Sequence, residues 1–397
     1  MFRMTHFQDL LKPLSSSNFD KQVSVSGADK YSKGFRSKHL LLTLIAGQLQ
    51  GTKSFRELET TINSHESSFY HLGLKKVHRS TLSDAMKKRS DIPFKEACEQ
   101  LMRMVHRSLR KDCKELLYLI DSTNIPLHSA PYLSWTEARK NTRLKGLKMH
   151  VQIEAEQSVP TYINVDHANV NDITDAQNIT IEEGATYTFD KGYTSYNWWK
   201  HINDKKAFFV TRLKKNAAYQ VKSEVTCLEN AENIISDQVI HLTNKKPRGG
   251  CINHYANQNL RLVTVMREAG KKPLLLVTND FKRSAESIAG IYKKRWGIEL
   301  FFKWVKQNLK IKKFLGTSEN AVRLQLYSAM IAYLLVAIAH YKKQTTKTLK
   351  ETFMTIKSLL FLPVDPAGQY QRERYRRKRE YEAFLAKQPC LFGYSGQ

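Results

Sequence analysis

Up to about residue 112, apolar positions recur at helical spacing. Leu40, Leu41, Leu44 and Ile45 form one such set; Phe55, Leu58 and Ile62 form the next. Ser54 stands where a helix N-cap would, with Glu57 three residues on, as in a capping box. After Gly73 a second short helix, LSDAMKKR, is expected to start at Thr81. A helix, a turn and a basic helix suggest a helix-turn-helix, and equally a plain helical bundle with a solvated basic face.

Near residue 115 the period changes from helix to strand. Leu116 to Ile120 is an apolar run that reads as a buried strand ending at Asp121. Lys148 to Ala155 alternates as a half-buried strand does, and Thr161 to Val165 supplies a third after Pro160. A short helix over Asp175 to Glu183 precedes a fourth strand, Thr186 to Phe189, which ends at Asp190. A helix over Tyr193 to Ile202 and a strand over Ala207 to Leu213 follow. Residues 214–279 are strand-rich, with Gln238 to Leu242, Leu260 to Met266 and Pro273 to Thr278 separated in part by the loop KKPRGG at 245–250. From Ser284 a helix is expected through Lys310, and another from Val322 to about Tyr341.

The helix from 284 to 310 carries the most information. Tyr292, Arg295, Glu299 and Lys306 are offset by 0, 3, 7 and 14 residues. At about 100° per residue, those side chains fall within roughly 60° of one another. Lys303 and Lys310 share the stripe, and Ile291, Ile298, Phe302, Val305 and Leu309 run beside it. One face can pack on a sheet while the next presents an acid among several bases. A solvated face on which Arg295 pairs with Glu299 has the same pattern.

Charge bears on what such a face would meet. The 397 residues hold 64 Lys plus Arg against 37 Asp plus Glu, a net charge of +27. Such an excess repels itself unless a polyanion relieves it, and DNA releases condensed counterions when its phosphates are neutralised. A ribosome-associated protein, a membrane-surface protein and a merely basic enzyme remain compatible with charge alone. The run RERYRRKRE at 372–380 adds a concentrated basic segment. Five cysteines, at 98, 113, 227, 251 and 390, include no CxxC pair, which argues against a disulfide framework or zinc finger and for a reducing compartment. The N-terminal segment lacks the apolar centre of a signal peptide, and the apolar stretch Leu326 to Ala339 is short for a membrane span. A soluble, intracellular protein is therefore expected.

Strand-end acids and an acid on a packed helix can converge from distant parts of a chain. Asp121, Asp190 and Glu299 would then offer hard oxygen ligands suited to Mg²⁺ or Mn²⁺. Taken singly, either aspartate could instead be a cap or turn residue, since Asp121 precedes Ser-Thr-Asn. Glu154, Asp166, Asp172 and Asp175 read as outer-shell or surface groups, and His150 and His167 as structural.

The segment Y292-K-K-R295-W-G-I-E299-L-F-F-K-W-V-K306, with L-I-D121-S-T and F-D190-K-G-Y, resembles the DDE transposases of bacterial insertion sequences. Its Y-x2-R-x3-E-x6-K spacing is similar to the Tyr-Arg-Glu-Lys signature of the insertion-sequence four family. The resemblance implies a ribonuclease H-like catalytic core over 113–213 and 280–345, a β-rich insertion at 214–279, a helical DNA-binding region at 1–112 and a basic tail at 346–397. It implies that Asp121, Asp190 and Glu299 bind two Mg²⁺ ions, with Mn²⁺ able to substitute. Tyr292, Arg295 and Lys306 would contact DNA phosphates near the transposon end, as Arg forks and Lys point charges do. The chain departs from some relatives, which hold a flipped base with a Trp of the insertion: its Trp residues are 135, 198, 199, 296 and 304.

The expected fold is thus mixed α/β, and the expected activity is metal-dependent cleavage of transposon ends and transfer of 3′ ends to target DNA. The implied partners are double-stranded DNA and a second copy of the chain, with no membrane, in the nucleoid-associated cytoplasm of a bacterium. A stand-alone nuclease of the same fold, or a silent DNA-binding protein derived from a transposase, would carry the same motifs.

Overall fold

The computed structural model describes residues 4–66, 69, 73–112, 116–136, 138–139, 142–225, 233–246, 251–267, 272–342, 346–364 and 366–385. A mixed sheet organises them. Its strands are β1 (Leu117–Pro126), β2 (Ala138–Arg139), β3 (Thr142–Glu154), β4 (Pro160–His167), β5 (Thr186–Phe189), β6 (Phe208–Arg212), β7 (Tyr219–Glu224), β8 (Ile234–Leu242), β9 (Asn259–Val265) and β10 (Leu274–Thr278). β1, β3 and β4 pair antiparallel, whereas β1, β5 and β6 pair parallel. This order, β4-β3-β1-β5-β6, is the ribonuclease H-like arrangement expected. Beyond β6 the sheet continues through β10, β9, β8 and β7, all antiparallel.

Alternation along β1 separates two cores. Tyr118 and Ile120 join Tyr187, Phe189 and Phe209 under Trp198 and Trp199 of the Tyr196–Asp204 helix. Leu119 points the other way, into the largest core, with Ile298, Phe302 and Val305 of the Trp296–Asn308 helix. That core also takes in Leu40, Leu44, Leu58, Leu82 and Leu101, so the N-terminal helices and the sheet share one hydrophobic interior.

Several expectations need correction. Asp121 does not end a strand: β1 runs on to Pro126, because β3 starts at Thr142 and pairs with it as far as Pro126 opposite Gly146. Cross-strand pairing holds Ser122, Thr123 and Asn124 extended despite their turn-like composition. A Cβ on Gly146, at φ +150°, would lie 2.2 Å from the Ile125 carbonyl oxygen, so this close approach needs glycine. The helix expected over 175–183 is only Asp172–Ala176; the β-branched run Ile179-Thr180-Ile181 that follows is poorly suited to continue it. The helix expected from Tyr193 starts at Tyr196, where Ser195 caps it.

The expected helix-turn-helix falls partly outside the described residues, since 67, 68 and 70–72 lie between its two helices. The Phe55–Asn63 and Arg79–Lys88 helices exist, but residues 64–78 separate them, far more than the three or four of that motif. Asn63 instead holds an extended approach to the second helix, donating to the Val77 carbonyl (2.9 Å) and accepting from its amide (3.1 Å). Ser54 caps its helix as expected, while the Glu57 carboxylate accepts from Lys53 rather than from the cap residue.

The apolar helix near the C-terminal end spans Glu319–Lys342, 24 residues, longer than its apolar core suggests and long enough to cross a bilayer. It is nevertheless packed inside the protein, with 94% of its most apolar window buried.

Candidate active site

The 284–310 segment, expected as one helix, forms two: Ala285–Lys294 and Trp296–Asn308. At the junction the amides of Arg295 and Ile298 bond three residues back, to Tyr292 (3.1 Å) and Arg295 (3.2 Å). This tightened turn interrupts the α-helical ladder. Gly297 just beyond it lies against β1, where a Cβ would be 3.2 Å from Leu119 Cδ1. The second helix therefore approaches β1 closely, with Glu299 one turn in.

Across that contact lies Asp121. The Arg295 guanidinium is between the two acids, 2.7 Å from Glu299 Oε1 and 3.8 Å from Asp121 Oδ2. Two turns further, the Lys306 ammonium donates to Thr123 Oγ1 on β1. Asp121, Ser122, Thr123, Glu299, Phe302 and Lys306 line an open cavity of about 430 Å³, together with Lys303, Gln307 and Lys312. Lys310 goes elsewhere: its amide donates to Gln48 in the N-terminal helices, at 2.7 Å.

Asp190 is not among the residues that line this cavity, but the sheet places it beside Asp121. β1 and β5 run parallel with Ile120 opposite Phe189, so Asp121 and Asp190 follow at adjacent positions. Strands so paired lie about 4.8 Å apart. Asp190 caps the short turn Lys191–Tyr193 with its backbone, leaving its carboxylate free of that duty. Its Oδ1 is buried and has no hydrogen-bond partner among the described residues.

Burial pushes the Asp121 carboxyl up to about 6, and the negative charges of Asp190 and Glu299 add to the effect. The Ser122 amide, 2.8 Å from Oδ1, and the Arg295 charge oppose it. Asp121, raised by burial and acidic neighbours, and Asp190, with an orphaned buried oxygen, offer with Glu299 the donor type and charge that suit a divalent cation. Tyr292 is mostly buried, its hydroxyl covered and unpartnered among the described residues, with the Arg295 guanidinium 5.8 Å from its ring centre.

The other acids separate from this group. Glu154 accepts from the amides of Glu156 (2.8 Å) and Gln157 (2.7 Å), which fixes the turn between β3 and β4. Asp166, Asp172 and Asp175 lie with His150 on the opposite face of the sheet; Asp175 is almost fully buried, not superficial. His167 lies 3.8 Å from Glu319. Sequence reading missed Ser122, Thr123 and Lys312. Thr123 was hidden in a turn-like tripeptide, whereas the basic run after Leu309 was a usable signal for Lys312.

A family described as "Transposase DDE domain" matches residues 112–335, more than half of the chain. A second match, over residues 3–75, is to a domain of unknown function. The putative transposase y4zB of Sinorhizobium fredii is 42% identical over 282 residues, 70% of this chain and 76% of that protein. A probable transposase for insertion sequence element IS5377 from Geobacillus stearothermophilus is 28% identical over 88% of this chain and 89% of its own length. A solved piggyBac transposase synaptic complex with hairpin DNA is similar at a TM-score of 0.49 and 11% identity, over 99% of this chain and 87% of that one. The chain belongs to the DDE transposases of bacterial insertion sequences, and so is a DNA-cleaving enzyme that uses a divalent metal.

Proposed function

We propose that Asp121, Asp190 and Glu299 hold two divalent ions, Mg²⁺ with Mn²⁺ able to substitute, and that the protein uses them to excise and insert an insertion sequence. The in-register placement of Asp121 and Asp190 beside the Glu299 helix carries this reading. Bound ions of this class activate an attacking oxygen and stabilise the leaving one in phosphoryl transfer.

The remaining steps belong to the chain. In cleavage, a water oxygen attacks phosphorus at the transposon end and the 3′ oxygen leaves, giving a 3′-hydroxyl and a 5′-phosphate. In strand transfer that 3′-hydroxyl attacks a target phosphate and displaces the target's 3′ oxygen. Lys303, Lys306 and Lys312 line the cavity and would neutralise backbone phosphates. Arg295, held by Glu299, has a planar fork suited to a phosphate at the scissile position. A phosphate contact from Tyr292 requires a local opening, since its hydroxyl is covered. The 1–112 region and the 346–397 tail would bind DNA away from the reaction, and two copies would pair the two ends. The natural setting is the bacterial cytoplasm, on nucleoid DNA.

The test is incubation of the purified protein with DNA carrying the element's ends, target plasmid and Mg²⁺. Joined end–target products support the proposal. Cut ends without joining identify a nuclease, and bound but uncut DNA identifies a silent binding protein.

A further inference from the structure

On the face of the sheet opposite Asp121, a second polar cluster is buried. His150 on β3 stands opposite Ser122 of β1 and Asn164 of β4. His150 is 1% exposed and Asp175 is 2% exposed, yet both ring nitrogens of His150 lack a hydrogen-bond partner among the described residues. The nearest oxygens to Nδ1 are Asp175 Oδ2 at 3.7 Å and Asp172 Oδ1 at 3.8 Å, beyond hydrogen-bonding distance. A buried imidazole with two idle nitrogens is expensive, and it faces carboxylates that are only partly satisfied.

The acids are organised around that imidazole. The Asn164 side-chain amide donates to Asp166 Oδ2 (2.7 Å) and Asp175 Oδ1 (2.6 Å), and the Tyr162 hydroxyl adds a third bond to Asp175 Oδ1 (2.9 Å). These bonds fix both carboxylates from outside and leave Asp175 Oδ2 towards His150. Asp172 is occupied separately, by Ser122 Oγ (2.7 Å) and Lys148 Nζ (3.2 Å). Of the three aspartates only Asp172 meets the buried Lys148 ammonium, so the acids around His150 are in excess of the bonded positive charge.

One ligand atom each from His150, Asp166 and Asp175 lies within 4.8 Å of the others. Donors on opposite sides of an ion bound at about 2.0–2.2 Å stand on the order of 4 Å apart, so small side-chain rotations close the set. We propose that His150, Asp166 and Asp175 bind a divalent transition-metal ion of the Zn²⁺ class. The site is structural, separate from the one that cuts DNA, and it ties β3 and β4 to the Asp172–Ala176 helix. One imidazole and two carboxylates suit Zn²⁺ or Mn²⁺ better than Mg²⁺, which prefers oxygen alone. The hydrogen-bonded supports around the carboxylates are the outer shell that such sites need. This departs from the sequence expectation, which took His150 as structural rather than as a metal ligand.

Mn²⁺ is the probe, because its electron spin echo reports directly bound nitrogen. The proposed catalytic acids offer only oxygen, so a ¹⁴N modulation isolates the second site. The full-length protein saturated with Mn²⁺ should show imidazole nitrogen coupling, and so should the Asp190→Ala protein. The coupling should vanish in His150→Gln, with one fewer Mn²⁺ bound per chain, and excess Zn²⁺ should displace the ion that gives it. Only oxygen coordination in the wild-type protein overturns the proposal. So does a nitrogen signal that survives His150→Gln or, should that variant not fold, survives Asp166→Asn. Neither result bears on Asp121, Asp190 and Glu299, whose test is cleavage.

Discussion

Asp121 and Asp190 stand on neighbouring parallel strands, each one residue past the paired positions Ile120 and Phe189. Their separation is set by sheet hydrogen bonding, not by a flexible loop. Burial and the charges of Asp190 and Glu299 raise the Asp121 carboxyl, a cost that a bound cation would relieve.

The first prediction concerns pH. A carboxyl whose value rises in the folded state from 3.8 to about 6 favours the protonated fold. The metal-free protein should thus lose stability as pH rises from about 4 to about 6, and recover it on acidification. Mg²⁺ binding should weaken up to about tenfold per pH unit below about 6, because Asp121 must first lose its proton. Asp121→Asn removes the penalty. In chelator at roughly pH 8 it should be more stable than wild type by about 1–3 kcal/mol, while cleaving nothing. Denaturant melts with and without metal measure this. A destabilised Asp121→Asn protein contradicts it.

Arg295 supplies the second. Its guanidinium lies between Glu299 and Asp121, at 2.7 and 3.8 Å. Arg295→Lys keeps the charge and loses the fork, so DNA should still bind while the scissile phosphate sits wrongly. A misplacement of about 1 Å costs on the order of a hundredfold in rate. Single-turnover cleavage at saturating DNA reads this. Rates equal to wild type would reduce Arg295 to an ordinary surface partner of Glu299.

Two glycines set the site's dimensions. Gly146→Ala would drive a Cβ into the Ile125 carbonyl, so it should break β1–β3 pairing beside Asp121 and cost about 2–4 kcal/mol. Gly297→Ala meets only the end of the Leu119 side chain. It should melt near wild type yet cleave at least about tenfold more slowly, by moving the Glu299 helix off β1. Thermal melts paired with cleavage rates separate the two, and equal cleavage by Gly297→Ala would refute the close-packing argument.

What could be read in advance followed local rules. Alternating and apolar runs located β3, β4, β5, β6, β9 and β10, and Asp190 did end its strand, because those segments obey their own periodicity. Glu299, Arg295 and Lys306 lie beside β1 as the helical stripe implied. The failures were non-local. Ser122 to Asn124 look like a turn and become strand only because β3 lies alongside. The break at Arg295 turns the buried face: Ala285, Ile288 and Tyr292 enter one cluster, and Ile298, Phe301, Phe302 and Val305 another. The orphaned nitrogens of His150 depend on three segments meeting, and spacing along the chain carries no trace of that.

Charge gives a further expectation. With a net charge of +27 and the basic Pro366–Leu385 helix, contact with six or more phosphates should weaken binding roughly a thousandfold between about 50 and 200 mM salt. Deleting residues 372–397 should flatten that slope and leave Mg²⁺ affinity unchanged. Salt-insensitive binding would remove the electrostatic account.

The central claim is that three carboxylates from β1, the end of β5 and the Trp296–Asn308 helix act as one metal site. Asp190 tests it most directly, because its assignment rests on strand register and one orphaned oxygen. Cleavage of transposon-end DNA by Asp190→Ala, at saturating Mg²⁺ and matched DNA occupancy, should fall below detection while end binding persists. Mg²⁺-dependent cleavage at near wild-type rate by that variant would contradict the account.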